Sequence, residues 1–141
     1  MEKSIIKIIN WENCSWGDPA FDLGRVISSY LLFWLNSIIV HPAIELDKSL
    51  ELATIPLEVV QPSIIALTRA YISNFPALLE DYSDFIKRVV QFAGLGLIFH
   101  ILEMIESFKG FNNKSICKLQ IAKKLLCNPE KLSNLIWEIP E

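Results

Sequence analysis

Glu12, Asp18 and Asp22 place three carboxylates within the stretch from Ile9 to Gly24, together with Asn10, Trp11, Trp16 and a Gly17-Asp18-Pro19 turn. Carboxylate oxygens are what hard cations take as ligands, so such a cluster has the look of an active site. Other chemistry is scarce. The five glycines, Gly17, Gly24, Gly94, Gly96 and Gly110, form neither a GxGxxG nor a Walker loop. His41 and His100 pair with no cysteine or acid at zinc-ligand spacing. No serine, histidine and aspartate combination marks a nucleophile. The acidic group Glu80, Asp81 and Asp84 has two readings, the lining of a pocket for a cationic substrate or a solvated loop between helices. A lone His100 on the polar side of a helix reads as a surface residue.

At 141 residues the chain has the size of one domain and can bury a core. It is 52% hydrophobic with a mean hydropathy of +0.36, although 21% of its residues are charged. Either the helices are buried on several sides, or one apolar surface faces a partner. A net charge of -3 offers no basic stripe for a nucleic acid. Cys14, Cys117 and Cys127 are odd in number and form no CxxC pair, which fits reduced thiols in a cytoplasmic protein. The apolar run from Val26 to Val40 is broken by Ser28, Ser29, Asn36 and Ser37. It falls short of the roughly 20 apolar residues of a membrane span, so it predicts a buried helix. No basic-then-apolar leader opens the chain. The expectation is a cytoplasmic protein with neither membrane nor nucleic acid as a partner.

These residues need elements to hold them. Ser4 to Ile9 is β-branched and predicts a buried strand. A lone strand leaves its N–H and C=O groups unpaired. Either its partner strand is on another polypeptide or a lost N-terminal part, or the segment is a frayed terminus. Pro19 suits the first turn of a helix, and Asp22 lies early in it, where the dipole favours an acid. That helix is expected from about Ala20 to Val40, ended by His41-Pro42. A short helix over Asp47 to Ala53 follows, and then one opening at Pro62, with Ile64, Leu67, Tyr71, Ile72 and Phe75 at helical spacing. The next is capped by Asp84 and carries Phe85, Val89, Phe92, Leu95, Phe99, Leu102 and Ile105 on its apolar side, with His100, Glu103 and Ser107 opposite. Gly94 and Gly96 weaken it by roughly 1 kcal/mol each relative to alanine and are expected to permit close packing. Lys109 to Lys114 reads as a loop. Ser115 caps a helix to about Leu126, and Asn128-Pro129 starts a last one ending near Ile139-Pro140. The predicted fold class is mainly α, with a strand and turn over 1–19 and a helical part over 20–141.

Ile9-Asn10-Trp11-Glu12, then Trp16-Gly17-Asp18-Pro19-Ala20-Phe21-Asp22-Leu23, resembles the metal-binding end of aminoglycoside phosphotransferases and related choline-kinase-like enzymes. Their pattern is hydrophobic-Asp-Trp-Glu, a short spacer, Trp-Gly-Asp-Pro and then Asp-Leu. The motif covers about a tenth of the chain, and the helices after it are similar in pattern to that family's C-terminal helical subdomain. The resemblance implies ATP- and Mg2+-dependent phosphoryl transfer to a small hydroxylated acceptor, with the metal held against the phosphates. The family's metal ligand is the Asp of Asp-Trp-Glu. Here that position is Asn10, whose amide oxygen can touch Mg2+ but brings no charge. The family's base lies in an earlier His-Gly-Asp motif, and neither histidine here has Asp two positions later. Nine residues before Asn10 leave no room for an ATP lobe.

The resemblance gives Asp18 the role of holding the turn and Asp22 that of supporting a catalytic loop absent from these residues. Glu12 has two readings, a metal ligand or support for one, and a polar turn contact. Trp11 and Trp16 are expected to anchor the turn in the core. The chain then reads as a C-terminal fragment that binds no cofactor alone and is inactive alone. Its partner would be a separate chain, or a lost N-terminal part, carrying the ATP lobe. Two other readings stand beside it, a non-catalytic helical module that docks on a separate chain and a gene remnant. The acceptor does not follow from a fold resemblance.

Overall fold

The computed structural model describes residues 5–108 and 110–136. Among them a 3-10 turn at Trp11–Asn13 is followed by seven helices: α1 Pro19–Asn36, α2 Leu46–Glu51, α3 Leu57–Asn74, α4 Ala77–Asp81, α5 Phe85–Phe108, α6 Asn113–Cys127 and α7 Pro129–Ile136. The protein is mainly helical, as predicted. The buried strand is a correction. Residues 5–10 belong to no helix or sheet, and Ile5, Ile6, Ile8 and Ile9 are 69–91% exposed; Ser4 lies outside the described residues. No described segment offers a second strand, so nothing takes up ladder hydrogen bonds there.

Pro19 opens α1 as its composition suggests, and the Asp18 carboxylate accepts the Ala20 N–H at 2.9 Å. The helix stops at Asn36, short of Val40, because Ser37 ties it to the next segment. The Ser37 hydroxyl donates to Trp34 O at 2.8 Å and accepts the Ile55 N–H at 2.9 Å, while Ser37 O accepts the Thr54 N–H at 3.1 Å. α3 begins at Leu57 with Pro56 as its N-cap, so Pro62 lies inside the helix rather than at its start. The missing N–H weakens the local ladder; burial of Val60 and Ile64 on either side outweighs it. A short helix, α4, follows Pro76, and Glu80, Asp81 and Asp84, read as a pocket lining or an interhelical loop, are all exposed in and after it. The cap of α6 is Asn112, whose side chain accepts the Ser115 N–H at 3.0 Å, and Ser115 itself is buried. The predicted end of the last helix, Ile139-Pro140, lies outside the described residues.

Four longer helices carry the core. α1 and α5 run parallel, since Gly24 meets Val89 and Phe92 while Ser28 meets Gly96 farther along both helices. α3 runs opposite to α1: Tyr71 near its end meets Pro19, and Ile55 before its start meets Ser37. α6 runs opposite to α5, with Gln91 donating to Leu126 O at 3.1 Å and Gly94 against Ala122 and Leu125. α1 supplies Leu23, Ile27, Leu31 and Leu35 at helical spacing, and α5 supplies Phe85, Val89, Val90, Ala93 and Leu97. α5 is also long and apolar enough to cross a membrane by length and composition; in this fold it is the helix between α1 and α6.

The buried side of α5 is rotated from the predicted one. Phe85 and Val89 are buried as expected, but Gly94, Gly96, Leu97 and Ile101 continue the face. Phe99, Leu102 and Ile105 are 38–49% exposed. The small residues win the inner position because two helices approach there more closely than large side chains allow. Gly24→Ala tests this contact. A Cβ at Gly24 would lie 2.7 Å from Val89 O and 2.6 Å from Phe92 Cβ, so the helices must part. A net loss of about 1–3 kcal/mol is expected in urea unfolding, despite roughly 1 kcal/mol of improved helix propensity. Gly17→Ala, which meets nothing within 4 Å, is the control, and equal stability of the two variants would contradict the close crossing.

Candidate functional site

The segment before α1 makes a tight turn. Asn10 has φ 62° and ψ 40°, a left-handed conformation that asparagine adopts more readily than most residues. Its carbonyl accepts the Asn13 N–H at 3.0 Å, and Trp11 O accepts the Cys14 N–H at 3.0 Å. The chain then runs through Ser15 and Trp16 to Gly17 and the Asp18 cap.

Two helices hold this turn from behind. Asp18 Oδ2 pairs with Arg88 Nη1 of α5 at 2.5 Å, while Asp18 Oδ1 caps α1. Arg88 lies 3.3 Å through Nε from Asp84 Oδ1, an ion pair not aligned as a hydrogen bond, and its guanidinium sits 5.1 Å from the centre of the Tyr82 ring. Its Nη2 is buried without a hydrogen-bond partner. From α3, the Tyr71 hydroxyl donates to Pro19 O at 3.3 Å, and its ring stacks on Phe85 at 6.3 Å. Burial pushes the Tyr71 phenol above its ordinary range, and the negative charge of Asp22 pushes it further. Tyr71 therefore stays a neutral donor.

Asn10, Asp18, Asp22 and Tyr71 line one cleft of about 490 Å³, with Trp16, Gly17, Pro19 and Phe21 among its walls. The structure thus brings together three of the predicted polar residues. Glu12 lies in the 3-10 turn, exposed and outside that lining. Asp22 is exposed in the first turn of α1. Trp11 and Trp16 are a correction, because they are 64% and 104% exposed and anchor nothing in the core. The space behind the turn is filled instead by Tyr71 and Phe85, which leaves the indoles outside.

As a Mg2+ site the cleft has a thin donor set. Both Asp18 oxygens are engaged, Asn10 is neutral, and Asp22 is the remaining carboxylate. Among the described residues no group of three histidines, cysteines or acids is close enough to hold a metal. The residues present do not by themselves fit the ion. Sequence reasoning missed Arg88 and Tyr71. Arg88 stands four residues after Asp84, the spacing of a helical ion pair, and Tyr71 was legible only as part of an apolar stripe. Compared with known proteins, the sequence matches no family model and no curated protein, and the fold matches no solved structure.

Proposed function

We propose that these residues are the acceptor-side helical part of a small-molecule kinase resembling the aminoglycoside phosphotransferases, dependent on another polypeptide segment for its nucleotide lobe and catalytic loop. The observation that carries the reading is the cleft at the start of α1, where Asn10, Asp18 and Asp22 of the motif meet. Asp18 holds the Gly17–Pro19 turn through its cap and through Arg88. Asp22, exposed at the cleft, is free to support a loop supplied from outside. In the parent chemistry Mg2+ screens the phosphates during transfer. Here the helices would bound the acceptor pocket, and Tyr71 would offer a neutral hydroxyl at its wall. The unpaired Cys14, Cys117 and Cys127 agree with a cytoplasmic setting.

Calorimetric titration of the purified chain with Mg-ATP is expected to give no saturable binding, and micromolar binding by the chain alone would sink this reading. A second reading, a non-catalytic module that docks on a separate chain, draws on the exposed series Ile5, Ile6, Ile8, Ile9, Trp11 and Trp16. Asn10→Asp separates the two in a reconstituted complex. Aspartate also tolerates the left-handed backbone. If position 10 faces the metal, the added charge should raise turnover and tighten the Mg2+ requirement by about tenfold. Unchanged turnover favours the docking module.

A further inference from the structure

The far end of the bundle gathers positive charge that the cleft does not use. Lys118 of α6 is only 6% exposed, set among Cys117, Ile121 and Ala122 on the inner face. No ion pair or hydrogen bond among the described residues holds its ammonium. Lys114 stands one turn earlier on the same helix face and donates from Nζ to Asn36 O at 2.8 Å, which fixes its position at the end of α1. Because α5 and α6 are antiparallel, with Gln91 at Leu126 and Gly94 at Ala122, His100 comes opposite Lys118. Burial lowers the Lys118 pKa, and the charge of Lys114 lowers it further. Burial also lowers that of His100, as does Lys118, with Glu103 opposing. Asn36 ends α1 at the opposite end from Asp18, roughly 25 Å away at 1.5 Å per residue.

A lysine that buries its stem and hydrates its tip is common. That account does not explain why its neighbours across and along the seam are a second lysine and a histidine, since like charges repel. The one acid that acts on the group, Glu103, does so on His100, and Lys118 feels the charge of Lys114. An anion would relieve the repulsion. Donors from two helices suit a tetrahedral oxyanion with several acceptor oxygens, and the excess of positive charge grows from one to two as His100 takes up a proton.

We propose that Lys118, Lys114 and His100 form a binding site for a phosphate group at the α5–α6 seam. The test follows the imidazole signals of His100 and His41 by NMR during pH titration of the full chain, in chloride and in inorganic phosphate at equal ionic strength. A parallel arm uses glycerol 3-phosphate. The expected result is a saturable rise of about half a pH unit or more in the His100 pKa, with His41 unmoved. A response to phosphate alone marks a free-phosphate site, and a response to the monoester extends the site to phosphorylated molecules. Identical His100 titrations in chloride and in both phosphates would overturn the proposal, as would an equal movement of His41. Lys118→Met keeps the buried stem and should abolish the response. Should that variant fail to fold, half-buried Lys114→Gln should at least halve the shift, and an undiminished shift there also overturns the site.

Discussion

Phe85→Ala is expected to destabilise the fold by about 3–5 kcal/mol, the usual range for emptying a buried aromatic position. The Phe85 side chain is wholly buried at the first residue of α5. It lies in the same core as Leu23 of α1 and Ile64 of α3, and its ring stacks on Tyr71. The loss therefore reaches the cleft. Tyr71 is positioned by that stacking, and its hydroxyl is one of the two ties that hold the Pro19 end of the turn. Urea unfolding should show a lower midpoint with an unchanged slope, the sign of altered stability rather than altered compactness. A loss below about 1 kcal/mol would mean that the ring is not part of the core. Phe85→Leu, which refills much of the volume, should recover most of the difference.

The second large effect is at Asp18, where one carboxylate serves two partners. Removing the cap of α1 costs about 1 kcal/mol. Removing a charge-assisted hydrogen bond adds about 1.5–3 kcal/mol, and here it leaves Arg88 with more unpartnered nitrogen atoms in a half-buried place. Asp18→Ala should then lose about 2–3 kcal/mol in all, less than the full sum because both side chains keep some exposure to water. Asp18→Asn separates the parts, since the amide oxygen still caps while the charge is gone. Arg88→Met completes a double-mutant cycle. A coupling energy near zero between positions 18 and 88 would show that the ion pair contributes nothing and that the cap alone matters.

Much of the helical architecture was readable because it rests on local chemistry. Pro19 with Asp18 before it marks the start of α1, and Pro76 and Pro129 bound helices where prolines are expected to. What could not be read depends on distant partners. Val26–Val40 looks uniformly helical, and only Ser37 meeting Thr54 and Ile55 shows why the helix closes at Asn36. On α5, counting apolar residues favours the side with Phe99, Leu102 and Ile105. The inner side was chosen by the absence of side chains at Gly94 and Gly96, and hydrophobicity does not measure an absence. The strand over Ser4 to Ile9 is the converse error. β-branched composition states a preference, but a strand exists only where a neighbour accepts its hydrogen bonds. At the cleft, the Asp18 carboxylate caps α1 and reaches across to α5. Its partner Arg88 sits seventy residues away in sequence, and no spacing rule joins the two.

The parallel run of α1 and α5 also bears on how the chain assembles. Two parallel helices cannot be joined by a short turn, so residues 37–84 must travel back along the bundle before Gly24 can meet Val89. Closing that loop costs entropy before any contact repays it. α5, α6 and α7, by contrast, are joined by short connections and meet through local contacts that form quickly. The order this implies is an early α5–α6–α7 nucleus, with α1 captured last through its glycine contact. Deletions in the connection at 37–45 should then change the folding rate through α1 docking, while the unfolding rate stays governed by the Gly24–Val89 crossing.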